Sequence, residues 1–227
     1  MKKVTVYSEV AYLFGILLLA VGNSLCAFGD LGMSMVVAPA YVLHLALVEV
    51  LPWFSFGVAE YTVQALVILS LIVMTRRVKA RFFLSFCTTL IYGLFLDAIM
   101  AVVALLPSLL PLRIAAYAVG FCLGSAGVAV LFTTYFPPGL YEVLVQEIVG
   151  KWHGKLGVVK TVYDICSLFV AVGLSLLIFG ELRGIGIGTV VCAFLNGALI
   201  HLFGKLYGRL FAVKDALPWR AFFEGKQ

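Results

Sequence analysis

The sequence predicts an all-α polytopic membrane protein with six transmembrane helices and two short re-entrant or interfacial helices, arranged as two inverted three-helix repeats. Three observations predict it. Of 227 residues, 63% are hydrophobic and 12% charged, against about 25% charged in a soluble domain. Mean hydropathy is +1.13, so lipid must be the solvent for much of the surface. Six apolar stretches can each cross ~30 Å of hydrocarbon as helix, and the same order of long and short segments occurs twice.

The six spans run about Val10–Phe28, Gly57–Met74, Phe82–Leu106, Ile114–Phe136, Leu156–Phe179 and Ile185–Phe203. Two shorter apolar segments, about Val36–Leu51 and Gly139–Val149, are bracketed by helix breakers. These are Gly29, Gly32, Pro39, Pro52 and Gly57 for the first, and Pro137, Pro138, Gly139 and Gly150 for the second.

The basic residues decide whether the short segments cross. If they do not, and the N-terminus is cytoplasmic, then Lys2, Lys3, the Arg76–Arg81 cluster, Lys151, Lys155, Lys160 and the basic residues from Lys205 onward share the cytoplasmic side. That leaves only Arg113 and Arg183 outside, so 14 of the 16 basic residues are inside. If both crossed, the Arg76–Arg81 cluster would lie opposite Lys2 and Lys3. Both termini are therefore expected in the cytoplasm, with the short segments dipping in from opposite sides or lying at the interfaces. Lys2 and Lys3 followed by an apolar run also suit a signal peptide. The run is long and the residues before Cys26 fit a lipoprotein site poorly, so a retained first span is the reading. The tail beyond Phe203 mixes Tyr207, Leu210, Phe211, Leu217, Trp219 and Phe222 with basic residues, which predicts an amphipathic segment along the inner surface.

The whole chain, 1–227, reads as one transmembrane domain, with repeat one at about 10–106, repeat two at about 114–204 and a tail at about 205–227. At an offset of 100, Tyr41 pairs with Tyr141, Gly57 with Gly157, Val58 with Val158, Glu60 with Lys160 and Gln64 with Asp164. At 105, Gly15 pairs with Gly120 and Gly22 with Gly127; at 104, Gly93 pairs with Gly197 and Asp97 with His201. Three crossings per unit is an odd number, so the second unit would sit upside down. A helix that stops inside the membrane leaves bare N–H and C=O groups that lipid cannot satisfy, which makes the short segments pointers to a binding site.

An ionisable group at bilayer depth costs about 2.5–3.5 kcal/mol on insertion scales. Glu60 and Gln64 lie four apart, hence on one face, and Lys160 and Asp164 repeat that spacing. The candidate substrate-binding set is Tyr41, Glu60, Gln64, Asp97, Tyr141, Glu142, Lys160 and Asp164. The alternative is that Glu60 and Lys160 snorkel from span ends, that Asp97 is anchored to a neighbouring helix, and that the tyrosines and Gln64 are packing groups. Asn23 and Asn196 add uncharged polarity, His201 lies close to the inner surface, and Asp30 and Glu147 are expected to be solvated.

Other chemistry is weakly signalled. Gly184, Gly186, Gly188 and Thr189 look like a phosphate loop but open a span without a preceding soluble strand or a Lys-Ser/Thr pair, so close helix packing is the reading. The histidines, His44, His153 and His201, lie far apart, and the sequence has no HExxH or GxSxG. Neither a metal, a cofactor nor an enzymatic activity is expected. The cysteines, Cys26, Cys87, Cys122, Cys166 and Cys192, are read as small buried hydrophobes. The basic residues report topology, so no nucleic-acid partner is expected.

Gly29–Ser34 (Gly-Asp-Leu-Gly-Met-Ser) followed by Met35–Tyr41 (Met-Val-Val-Ala-Pro-Ala-Tyr) carries a resemblance, as does Lys160–Asp164 (Lys-Thr-Val-Tyr-Asp) with Gly186–Thr189 and Asn196-Gly197. Over about residues 10 to 205 the chain resembles the YczE/YitT-like group of bacterial integral membrane proteins. The group implies a duplicated bacterial inner-membrane protein, often described as a transporter, with no established substrate. In much of that group the first loop reads Gly-x-Ser/Gly-Pro-Trp-Asp. Met35, Val36 and Val37 replace Pro-Trp-Asp here, which removes that acidic group, and Glu142 is the candidate acid of the second half.

The functional expectation is a secondary transporter of a small molecule, with a cationic group or a coupling proton held by Asp97 and Asp164, working by alternating access. Its partners are the lipid bilayer of the cell membrane and a small-molecule substrate. A homo-oligomer or an energising partner stays open. The alternatives are a membrane-embedded binding subunit and an accessory or scaffold protein without transport of its own.

Overall fold

The computed structural model describes residues 4–136, 139–153 and 156–215, and gives only the helical backbone for Leu156 and Gly157. Lys2, Lys3, Pro137, Pro138, Lys155, and the tail residues Leu217, Trp219, Arg220, Phe222 and Lys226 lie outside the described residues. In order, the elements are β1 (Val4–Tyr7), α1 (Ser8–Gly29), α2 (Ala38–Leu47), α3 (Phe56–Thr75), α4 (Ala80–Val103), α5 (Leu110–Leu131), α6 (Leu140–Trp152), α7 (Leu156–Phe179), α8 (Ile187–Leu210) and β2 (Phe211–Lys214). Six of the helices are long and apolar enough to cross a membrane, at the six predicted places.

Local chemistry sets the helix ends. Pro39 and Pro111 fall in the first turns of α2 and α5, where a missing N–H removes no helical bond. The Ser55 hydroxyl caps α3 by accepting from Val58 N–H at 3.2 Å. Asp30, Arg76 and His153 take left-handed backbone just past α1, α3 and α6.

The centre of the bundle is the pair α1 and α5, which touch backbone to backbone. A Cβ on Gly22 would fall on the Gly124 backbone, and one on Gly127 would lie 2.7 Å from Leu19 N. Bilayer tails are as apolar as leucine, so helices associate there by van der Waals closeness, which small residues permit. Around this pair, α4 packs on α1 and α8 on α5. The short helix α2 packs on α3 and α7, and α6 on α7, α3 and α4; α3 also packs on α4. Among the described residues, α7 and α8 make at most a marginal contact.

Both short helices bury part of their length against the long ones. The first five residues of α2, Ala38 to Val42, are buried, as are Leu140, Tyr141, Val143, Leu144 and Val145 of α6. Leu71, Phe82, Leu140 and Val143 are fully buried together, which seats α6 between α3 and α4.

One end of the bundle gathers the start of α1 and the end of α5, through Tyr135 N–H to Ser8 Oγ at 3.3 Å. It also holds the turn between α3 and α4, where Lys79 pairs with Glu147 of α6 at 2.6 Å. Glu147 is thus ion-paired with only 15% of its side chain exposed, which corrects the expectation of a solvated group. Asp30, at the opposite end, pairs with Arg113 at 2.6 Å.

The tail differs from its prediction. Lys205, Tyr207 and Arg209 continue α8, because the apolar run before them propagates the helix to Leu210. Residues 211–214 then form a strand parallel to β1, pairing Val4 with Phe211 and Tyr7 with Lys214. The start of α1 and the end of α8 therefore share the first end of the bundle. The cysteines also divide. Cys26 and Cys192 are buried, whereas Cys87, Cys122 and Cys166 are exposed, since lipid-facing positions accept a small apolar thiol as readily as core ones.

Overpacking the central crossing should be felt at once. Gly22→Leu is expected to lose about 1–3 kcal/mol of stability, read as a lower unfolding temperature in detergent, whereas Gly204→Leu, whose Cβ would meet open space, should change it little. Equal losses would show that the crossing does not depend on close approach.

Candidate functional site

α3 begins where Ser55 and Gly57 meet α4, and its first two turns put Glu60 and Gln64 on the inward face. Glu60 is fully buried. Its Oε2 accepts from Gln64 Nε2 at 3.1 Å and from the Tyr141 hydroxyl at 3.0 Å. Gln64 Oε1 accepts from the Thr89 hydroxyl of α4. The other carboxyl oxygen, Glu60 Oε1, has no hydrogen-bond partner. A polar chain thus joins α4, α3 and α6 and ends on a bare acceptor, an arrangement a fold keeps only for a reason.

These groups line a cavity of about 390 Å³ inside the bundle, within the ~300–1,000 Å³ range of small-molecule sites. α6 adds Tyr141 and Glu142 at its first turn, and the Glu142 carboxylate lies over Gly139, 3.0 Å from where a Cβ would stand. α7 adds Lys160, Thr161 and Asp164. Lys160 Nζ stands 3.6 Å from Asp164 Oδ1, an ion pair too long to be a hydrogen bond, so that buried oxygen is also without one. Further around the wall, Asn23 Nδ2 donates to the Tyr92 hydroxyl at 2.7 Å, and the Ser125 hydroxyl donates to Asn196 Oδ1 at 3.0 Å. The remaining wall is largely apolar, with Ile16, Leu19, Met35, Val36, Phe121 and Val128. Three carboxyl groups, Glu60, Glu142 and Asp164, share the wall with one ammonium, Lys160.

Six of the eight predicted residues meet at this wall: Glu60, Gln64, Tyr141, Glu142, Lys160 and Asp164. Tyr41 and Asp97 do not. The Tyr41 hydroxyl donates to Ala27 O at 3.4 Å, and its ring packs on Phe56 with centroids 5.1 Å apart. Asp97 Oδ2 accepts from the Ser55 hydroxyl at 2.6 Å and Oδ1 from Gly57 N–H at 2.7 Å, so its charge holds the N-terminus of α3. Asp97 is thus anchored to a neighbouring helix, the alternative weighed for it, and is not part of the cavity wall. His201 is exposed on α8.

Thr88, Thr89, Tyr92 and Ser125 were not in the sequence-derived set, yet all line the cavity. Their signal was present: Ser85, Thr88, Thr89 and Tyr92 form a polar stripe at helical spacing inside an apolar span. The glycines near Thr189 permit close packing, as read from the sequence: a Cβ on Gly188 would overlap the Tyr117 side chain of α5, and one on Gly184 would lie 2.8 Å from the Tyr41 ring of α2. Gly188 N–H donates to Leu31 O at 2.7 Å and Met33 N–H to Gly184 O at 3.0 Å, which ties the loop before α2 to the loop before α8. Among the described residues, no group of three or more His, Cys, Asp or Glu side chains is placed to hold a metal ion.

Compared with known proteins, residues 6–205 match the family described as "Family of unknown function (DUF6198)", and the chain belongs to that family. No curated protein and no solved structure matches it.

Removing the Asp97 carboxylate should act on stability. Asp97→Ala is expected to lose about 1.5–3 kcal/mol, the range for a hydrogen bond to a charged group, seen as a lower unfolding temperature, while affinity for any ligand of the cavity stays within about twofold. A tenfold loss of affinity without loss of stability would return Asp97 to the site.

Proposed function

We propose, taking membership of a family without an assigned activity as the premise, that the chain is a secondary transporter of a small cationic molecule. It would bind that molecule in the central cavity and expose it by turns to either side through the movement of two inverted, related halves. One observation carries the proposal: a fully buried carboxylate, Glu60, ends in an unpartnered oxygen at the wall of a cavity within the membrane-spanning bundle. Because Oε2 already accepts two hydrogen bonds, the vacant Oε1 calls for a donor, and an ammonium N–H supplies both the donor and the charge.

The packing supports the two-halves reading. If α1, α2, α3 and α4 correspond to α5, α6, α7 and α8, the contact α1–α4 is matched by α5–α8, α2–α3 by α6–α7, and α2–α7 by α6–α3. The cavity wall follows the same rule. Thr88, Thr89 and Tyr92 of α4 and Cys192, Ala193 and Asn196 of α8, 104 positions apart, all line it. Segments that carry the YczE/YitT-like resemblance also reach the wall, through Ser34 to Val37, Lys160, Asp164, Asn196 and Gly197.

Orientation follows from charge. Arg76, Arg77, Lys79, Arg81, Lys151, Lys205, Arg209 and Lys214 lie toward the bundle end that holds β1 and β2, and Arg113 and Arg183 toward the other. Positive residues are retained on the cytoplasmic side, so the chain ends would be cytoplasmic in the cell membrane.

Thermal-shift measurements on the purified protein with a panel of organic amines test the site. A binding amine at 100 times its Kd raises stability by about 2.7 kcal/mol, and Glu60→Gln should abolish that rise. Amines so found should be taken up by proteoliposomes containing the chain, and Asp164→Asn should reduce the uptake at least tenfold. Stabilisation by anions alone, or amine binding unchanged in Glu60→Gln, would refute the cationic site. In a background stripped of native cysteines, a membrane-impermeant thiol reagent applied to cells should label Arg183→Cys and spare Arg76→Cys; the reverse pattern would invert the orientation.

A further inference from the structure

The two flanks of the cavity are built alike and closed differently. On the first flank α3 meets α4. Asp97 accepts from Ser55 and Gly57, and the Tyr61 ring covers Gly93 so closely that a Cβ there would overlap it. The Tyr61 hydroxyl donates to Leu90 O at 3.0 Å. On the second flank the corresponding residues are Thr161 and Gly197. A Cβ on Gly197 would have no atom within 4 Å, and α7 and α8 barely meet among the described residues.

That gap opens onto the cavity. Lys160, Thr161 and Asp164 of α7 and Ala193, Asn196 and Gly197 of α8 line the cavity, and Thr161, Ala193 and Gly197 are exposed. Gly197 is the eleventh residue of α8, about 15 Å along a helix that rises ~1.5 Å per residue. A bilayer would put hydrocarbon at that depth. A hydrophilic ion would have to cross lipid to reach this opening, whereas an amphiphile already partitions into it.

We infer that the guest is an amphiphilic amine that enters sideways from the bilayer between α7 and α8, its ammonium reaching Glu60 and its apolar part lying along the gap. This rests on the cationic reading of the cavity and adds the route and the chemical class. The wall agrees with it. Glu60, Asp164 and Lys160 supply charged groups, and the apolar Met35, Val36, Phe121 and Val128 offer contact to an alkyl chain.

A series of n-alkylamines tests the inference on the full chain in lipid nanodiscs. Ethylamine, butylamine, octylamine and dodecylamine are compared by competition with radiolabelled dodecylamine. In the wild-type chain, affinity should rise at least tenfold from ethylamine to dodecylamine. Glu60→Gln should lose binding at every length. Gly197→Trp puts a ring into the gap at a position with free space, and it should flatten the dependence on chain length to less than threefold. Identical nanodiscs without the chain correct for partition into lipid. If Gly197→Trp keeps the full chain-length gain while Glu60→Gln loses binding, the sideways route is wrong and the cationic cavity stands. If no amine of any length binds the wild-type chain, the cationic cavity fails and the route with it. If light scattering shows a dimer that Gly197→Trp converts to a monomer, a second copy of the chain fills the gap and the inference is overturned.

Discussion

The close crossing of α1 and α5 is the constraint on which the rest of the bundle depends. Gly15 and Gly22 face Gly120, Gly124 and Gly127 with backbone against backbone, so the two helices act as a single thick post. In water such a pair would be held by burial of apolar surface; in lipid the gain comes from close dispersion contact. The post fixes where α4 and α8 can lean, α4 through Asn23 to Tyr92 and α8 through Ser125 to Asn196. The space left beside it, closed by α3, α6 and α7, is the cavity.

Within that space the polar groups are distributed economically. Thr89, Gln64, Glu60 and Tyr141 satisfy one another across three helices, and only the last oxygen is left over. In a medium of low dielectric such a chain is worth most when every member is paired. The bare Glu60 Oε1 therefore marks a place where the fold gives up stability. Asp97 shows the contrast. It is an acid of the same helix bundle with both oxygens occupied by the start of α3, and it contributes to architecture.

The spans were legible because hydrocarbon thickness sets helix length and leaves a long apolar run few alternatives. Glu60, Gln64, Lys160 and Asp164 were legible because a four-residue spacing on a helix determines a shared face. Asp97 was not, since its role depends on where Ser55 and Gly57 arrive, and that is set by tertiary packing. Thr88, Thr89 and Tyr92 were passed over because single hydroxyls in a span look inexpensive, and only their stripe is informative. The pairing of Val4–Tyr7 with Phe211–Lys214 joins segments some 200 residues apart with no pattern to announce it. The exposure of Cys87, Cys122 and Cys166 likewise depends on which face a helix turns to lipid, and hydropathy is blind to that when both faces are apolar.

The glycine-lined post has a consequence for how the protein is made. Its two members are separated in the chain by three other helices longer than ten residues or nearly so, and at a synthesis rate of ~5–20 residues per second the second member follows the first by about 5–20 s. During that interval the first helix resides in the bilayer with its bare ridge uncovered and open to other small-residue helices of the host. Biogenesis of this protein therefore contains a timed window of vulnerability, which closes when the second member of the post arrives.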